Sequence, residues 1–472
     1  MYSIVTKNRR NKMRSFDTIV IGFGKAGKTL SGFLAGKGEK VALIEKSDKM
    51  YGGTCINVGC IPSKSLVSWS EKTAQKNLAT YEEKNAYFKS AMERKNTLTS
   101  TLRTKNFNKL DSLENVTVIN GLASFAGPKE IDVTTAEGTE RITAEKIVIN
   151  TGSKSRWLNI PGANESKRVF VSNGMLDLSE LPKKLVIIGG GYIGLEFASI
   201  YSGFGSEVTV LEASSKFLGR EDRDVAEAIK ESFEARGVNI VVDAKVEKIE
   251  DKEEFSEVHY SVNGEAVVSE ASAILLAAGR VPNIESLKLE NSGIETTERG
   301  AIKVDEYLRT SVENIWAAGD VVGGLQFTYI SLDDFRVLRD QFNGKKDGYN
   351  TTGRLVPYSV FIEPSFSRVG LSEEEAKAQG YDYVVVKMPA AAIPKANVLQ
   401  KPTGLLKAIV NKEDGKILGC VLFCEESYEM INEVKLVMDL GGDYKTLRDN
   451  IFTHPTMSEA LNDLFGMVKL DK

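Results

Sequence analysis

One glycine-patterned unit occurs twice in this chain of 472 residues, in the same register, and it narrows the possible folds sharply. In the first copy the apolar run Thr18-Ile19-Val20-Ile21 enters Gly22-Phe23-Gly24-Lys25-Ala26-Gly27, a helical stretch follows, and a second apolar run, Val41-Ala42-Leu43-Ile44, ends on Glu45. In the second, Leu185-Val186-Ile187-Ile188 enters Gly189-Gly190-Gly191-Tyr192-Ile193-Gly194, and Val208-Thr209-Val210-Leu211 ends on Glu212. The step from first glycine to acid is 23 positions in both, Gly22 to Glu45 and Gly189 to Glu212. Strand, Gly-x-Gly-x-x-Gly, helix, strand and acid form the dinucleotide fingerprint. The glycines allow a tight turn and close backbone approach, the helix N-terminus faces a pyrophosphate, and the acid takes ribose hydroxyls. Two dinucleotide sites on an α/β framework are therefore expected.

Each copy continues through alternating segments with hairpin turns, of which Asn263-Gly264 is the clearest, and closes on a small-residue turn. These closing turns, Asn150-Thr151-Gly152 and Ala277-Ala278-Gly279-Arg280, put Thr151, Gly152 and Gly279 among the expected cofactor contacts. The copies differ in length: Gly22 to Gly152 spans 130 positions and Gly189 to Gly279 spans 90. The added residues carry a polar helical stretch through 76–109 and the run Gly53-Thr54-Cys55-Ile56-Asn57-Val58-Gly59-Cys60-Ile61-Pro62-Ser63-Lys64. A disulfide between Cys55 and Cys60 would close a small loop and stabilise little, so its use is to open and close. Two nucleotide carriers and one dithiol make an electron relay from nicotinamide to flavin to cysteines to substrate. The first site, beside the cysteines, is assigned to FAD and the second to the nicotinamide nucleotide. Glu212 favours NADH over NADPH, because a carboxylate repels a 2′-phosphate and the following residues offer a single lysine, Lys216.

The length allows about three domains. The chain is expected to divide into an FAD-binding domain over 1–152, an NAD(H)-binding domain over 153–279, a return to the FAD domain over 280–346 and a third domain over 347–472, to which the resemblance given below assigns the subunit interface. A net charge of −4 with dispersed basic residues gives no sign of a nucleic-acid partner. No apolar run approaches the ~18 residues of a membrane span. A basic, apolar-poor tail containing Lys7, Arg9, Arg10, Lys12 and Arg14 is not a secretory signal and is expected to be disordered, so a cytoplasmic protein is expected. Cys420 and Cys424 lie in an apolar, strand-like segment and read as small buried hydrophobes. No metal-ligand spacing is present. Of the two histidines, His259 sits in an alternating strand, whereas His454 precedes Pro455 and a helix start with Glu459 in its first turn. A carboxylate on one ring nitrogen would orient the imidazole and leave the other for proton transfer beside a dithiol that needs a proton carrier.

Four blocks in order, Gly52-Gly53-Thr54-Cys55 through Lys64, the second glycine motif, Ile315-Trp316-Ala317-Ala318-Gly319-Asp320, and His454-Pro455 to Glu459, give the chain its resemblance to the class I pyridine-nucleotide disulfide oxidoreductases along nearly its whole length. The resemblance implies two Rossmann-like dinucleotide-binding domains plus a C-terminal α+β dimerisation domain, and a homodimer in which His454 completes the other subunit's site. It also implies that Cys60 lies next to the flavin, Cys55 faces substrate, Asp320 meets the ribityl chain, and Lys64 and Glu196 pair near the flavin ring. The segments Gly324–Asp334 and Ser458–Phe465 are similar to those of the reactive-chlorine-resistance branch, reductases of hypothiocyanous acid. On that basis the expected reaction carries electrons from NADH through FAD and Cys55/Cys60 to hypothiocyanous acid. Cu(II), a low-molecular-weight disulfide or lipoamide are the alternative substrates on the same relay.

Overall fold

The computed structural model describes residues 13–345 and 347–470. The basic tail up to Lys12 lies outside them, but Arg14, read from sequence as part of that tail, opens the first strand and pairs with Glu140 at 3.0 Å. The described residues gather into two compact units. One comprises the segments ending at Pro62, Asn96–Ser155 and Arg280–Thr352; the other comprises Ser63–Lys95, Arg156–Gly279 and the described residues from Gly353 onward.

The first unit is built on β1 (Arg14–Ile21), α1 (Lys25–Gly36), β2 (Val41–Glu45), α2 (Thr54–Asn57), the start of α3 (Cys60–Ser70), the second half of α4 (Tyr81–Asp111), β3 (Val116–Asn120), β4 (Leu122–Gly127), β5 (Glu130–Thr135) and β6 (Gly138–Ile149). Its sheet runs β3-β2-β1-β6-β5-β4, with Ile315–Ala317 also paired to β6. β3, β2, β1, β6 and Ile315–Ala317 are mutually parallel, so β1 and β2 are covered on both faces and read as continuous apolar runs. Ile19, Val20, Leu43 and Val148 are wholly buried.

The second unit repeats this plan. Asn239–Val241, Glu207–Leu211, Lys184–Ile188, Ala273–Leu276 and Val169–Val171 form a five-stranded parallel sheet, beside a three-stranded antiparallel meander of Lys245–Asp251, Ser256–Val262 and Glu265–Ala271. The meander turns at Asn263-Gly264, both at positive φ (52° and 84°), as the dipeptide predicts. His259 is a strand residue there, 3.3 Å from Glu257.

The same unit carries a five-stranded antiparallel sheet, ordered Tyr358–Val360, Phe366–Gly370, Ile417–Phe423, Leu405–Asn411 and Tyr383–Pro389, with helices Ser427–Asp439 and Ala460–Gly466. Cys420 and Cys424 are buried in it, and burial pushes both thiols up, as expected of inert apolar cysteines. The carboxylates of Asp222, Asp224 and Glu373 converge there on the buried Lys407 ammonium, 2.7 Å from Asp222 and 3.0 Å from Asp224. The buried ammonium is desolvated among its counter-charges, with Asp222 buried beside it and Asp224 and Glu373 partly exposed, which makes the cluster structural.

Candidate active site

The two glycine motifs have the same construction. Gly22 (φ +107°) and Gly189 (φ +116°) each press on the turn that closes their own copy: an added Cβ would stand 2.2 Å from the Asn150 carbonyl oxygen and 2.7 Å from that of Ala277. Only glycine fits either place, by conformation and by contact. Gly27 and Gly194, at the third motif position, sit in the first turns of α1 and of helix Tyr192–Phe204. Each acid folds back onto its own motif. Glu45 accepts from Phe23 N at 3.0 Å, and Glu212 accepts from Gly190 N at 2.8 Å and Ser214 N at 2.8 Å. Burial raises the Glu45 carboxyl above its ordinary range, against the pull of these backbone donors.

Both cradles suit the cofactors that the sequence implies. The Thr151 hydroxyl is buried with no hydrogen-bond partner among the described residues, which calls for a polar group beyond the protein's own. At Gly191 a Cβ would meet nothing within 4 Å, leaving room for a nucleotide against bare backbone. Gly152 and Gly279 are likewise open and at positive φ (71° and 91°). Asp320, in the turn Gly319–Val322, accepts from Ser153 Oγ at 2.6 Å, and that hydroxyl in turn accepts from Arg280 Nε at 2.8 Å. Asn150, quoted in the closing turn but given no role from sequence, ties the first cradle together. Its amide oxygen accepts from Gly27 N at 3.0 Å and its amide nitrogen donates to the Ala318 carbonyl at 2.7 Å.

Cys55 lies in α2 and Cys60 opens α3, and no disulfide joins them. The Cys60 sulfur is 3.6 Å from Thr328 Oγ1. Contact with Cys60 raises the Cys55 thiol most, burial raises it further, and Thr328 and Lys28 pull the other way. Two sulfurs in contact share a proton, so the pair does not readily lose both. Thr328, Lys28 and two further residues escaped the sequence reading. Asn57 donates to the carbonyls of Tyr51 (3.0 Å) and Gly53 (2.9 Å) and accepts from Arg103 Nε (2.7 Å), which fastens the cysteine turn to α4. Thr328 lay within a segment quoted only for its resemblance; the others carried no local signal.

In the second unit, Lys64 Nζ pairs with both Glu196 oxygens, at 2.8 and 2.7 Å, and lies 4.6 Å from the Phe361 ring centre. Glu196 also accepts from Phe361 N at 2.9 Å. Tyr192 and Ile193 begin the helix of the second motif. The Tyr192 hydroxyl donates to Glu221, which also accepts from Tyr358 at 2.6 Å and from Arg368 at 3.3 Å. Burial and the Glu221 charge both push the Tyr192 phenol up, so it stays a neutral donor. His454 Nδ1 is 2.8 Å from Glu459 Oε2; a carboxylate only accepts, so Nδ1 bears the proton and Nε2 is free to exchange one. Glu459 precedes helix Ala460–Gly466 as its cap residue instead of lying in its first turn. The imidazole is 71 % exposed, so it is oriented but uncovered.

Residues 16–334 match the pyridine nucleotide-disulphide oxidoreductase family, and residues 356–465 match the dimerisation domain of that family. The chain is 49 % identical over 457 residues to the probable pyridine nucleotide-disulfide oxidoreductase RclA of Escherichia coli, covering 97 % of this chain and all of that one. It is 34 % identical to a dihydrolipoyl dehydrogenase of Geobacillus stearothermophilus, covering 94 % of each. Among solved structures it resembles the Cu(II) complex of the HOCl-induced flavoprotein disulfide reductase RclA from Escherichia coli, with a TM-score of 0.90, 49 % identity, and coverage of 97 % of this chain and 100 % of that one. Among the described residues, no helix is long and apolar enough to cross a membrane.

Proposed function

The chain belongs to the pyridine nucleotide-disulphide oxidoreductase family, a flavoprotein disulfide reductase of the RclA type, and we propose that it uses NADH to reduce hypothiocyanous acid to thiocyanate and water. The family implies FAD and a pyridine nucleotide. The observation that carries the choice of oxidant is full-length similarity to an HOCl-induced reductase, together with the position of Thr328. Thr328 belongs to the segment in which this chain resembles the chlorine-resistance branch, and its hydroxyl meets the Cys60 sulfur.

In this reading Gly22, Gly24, Gly27, Glu45, Thr151, Gly152 and Asp320 hold FAD, with Lys64 and Glu196 as its ion pair. Gly189, Gly191, Tyr192, Ile193, Gly194, Glu212 and Gly279 hold NADH. Bound FAD supplies the two-electron step between nicotinamide and disulfide. The Cys55 thiolate attacks the sulfur of hypothiocyanous acid: a sulfur–sulfur bond forms, the sulfur–oxygen bond breaks, and hydroxide leaves as water with a proton from His454 of the partner subunit in a homodimer. Glu459 keeps that imidazole in the donating orientation. The Cys60 thiolate then attacks the Cys55 sulfur, expels thiocyanate and closes the disulfide, which takes two electrons to reopen. One NADH is oxidised for each hypothiocyanous acid reduced.

The test is NADH oxidation by the purified holoenzyme with hypothiocyanous acid, lipoamide, glutathione disulfide and Cu(II) side by side. Hypothiocyanous acid should give the highest kcat/KM; a higher value for any of the others sinks this choice of oxidant. Coenzyme choice has its own test. Both Glu212 oxygens are held by backbone donors, and Arg223, eleven positions on in the chain, is occupied by the carbonyls of Phe217 and Leu218. The Glu212→Ala variant should lose about tenfold in kcat/KM with NADH and narrow its preference over NADPH. An unchanged coenzyme ratio would remove Glu212 from that role.

A further inference from the structure

Lys28 is a half-buried cation beside the dithiol that no step above uses. It lies on α1, and its one hydrogen-bond acceptor among the described residues is a neutral amide, Asn106 Oδ1 at 2.6 Å. No carboxylate of the described residues pairs with it. The placement is rigid. Asn106 donates to the Leu102 carbonyl at 2.7 Å, and a Cβ on Gly52, three residues before Cys55, would stand 3.4 Å from its amide carbon. One helical turn away on α4, Arg103 grips Asn57 of the cysteine turn. Two more ammonium groups, Lys25 on α1 and Lys109 on α4, act on Lys28, and neither has a carboxylate partner among the described residues. Lys28 therefore acts on Cys55 as a cation with no carboxylate partner among the described residues, so an incoming anion can supply its counter-charge.

We propose that Lys28, set by Asn106, forms a subsite beside Cys55 for a small monovalent anion of the size of thiocyanate. The subsite extends the proposed function, on which it rests for its natural occupant: thiocyanate is the group expelled there, and ionised hypothiocyanous acid is an anion of similar size. The same cation favours the Cys55 thiolate that contact with Cys60 opposes. Burial, Lys25 and Lys109 bring the Lys28 ammonium down to about 8, with Cys55 opposing them, so the subsite is charged at neutral pH and discharges as pH rises through that value.

The experiment alkylates the two-electron-reduced holoenzyme with iodoacetate and, separately, with iodoacetamide, following Cys55 by peptide mass mapping. Both reagents need the thiolate, so the ratio of their rates cancels Cys55 ionisation and reports the field on an incoming anion. Lys28→Met should lower the iodoacetate-to-iodoacetamide ratio about tenfold, and Lys28→Arg should keep it. In the wild type the ratio should fall as pH is raised through about 8, and sodium thiocyanate should protect Cys55 from iodoacetamide where sodium fluoride does not. An unchanged ratio in a Lys28→Met protein that retains FAD overturns the proposal. If that variant does not fold, absence of thiocyanate protection in the wild type overturns it instead. Neither reagent is a substrate of the enzyme. A lowered ratio with no turnover of hypothiocyanous acid would therefore refute the oxidant and uphold the subsite.

Discussion

The Cys60→Ser variant should bind FAD at full stoichiometry and lose oxidant-dependent NADH oxidation by on the order of a thousandfold or more, the scale on which removal of an attacking group is felt. Cys60 is only partly buried at the start of α3, and a serine hydroxyl preserves its size and its contact with Thr328, so folding is not the variable. In the proposed sequence of bonds, Cys55 can still take the sulfur of hypothiocyanous acid, but nothing expels thiocyanate from it, so one equivalent is consumed and the site stalls. Absorbance gives the FAD content, NADH consumption gives the rate, and mass analysis finds the adduct on Cys55. Retained turnover, or loss of FAD from the variant, would contradict the relay.

The second large effect concerns His454. Removing a general acid costs roughly 10²- to 10⁴-fold, and because the imidazole is exposed, His454→Ala should leave stability within about 0.5 kcal/mol of the parent. Reduction of the enzyme by NADH should be unaffected, which a stopped-flow measurement of that half-reaction checks. Mixing His454→Ala with Cys55→Ser subunits then tests how the site is assembled. If the imidazole serves the partner subunit, each mixed dimer has one site with both groups intact and one with neither. Half the dimers in an equal, fully exchanged mixture are mixed, so about a quarter of wild-type activity should appear from two nearly inactive parents. No gain over the parents' average, in a sample shown to have exchanged subunits, would mean that each chain builds its own site.

What the sequence determined by itself was everything written in short, periodic or glycine-punctuated segments. The paired registers from Gly22 to Glu45 and from Gly189 to Glu212 specify strand, turn and helix locally, and the structure repeats their construction to the same backbone-to-acid hydrogen bonds. The Asn263-Gly264 hairpin, the buried pair Cys420 and Cys424, and the bond between His454 and Glu459 five positions on were legible for the same reason. Tertiary structure alone decided the surroundings of the dithiol. Thr328 reaches Cys60 across 268 positions, Asn106 meets Lys28 across 78, and Arg103 meets Asn57 across 46. No pattern within a segment records which side chain from another will face it. The rise of the Cys55 thiol also waits on folding, since the contact that raises it exists only once α2 and α3 bring the two sulfurs together. Motif spacing states which chemistry a chain carries; the packing of α1, α4 and the Thr328 segment around that chemistry sets its charge, because electrostatic fields follow distance in space and not along the chain.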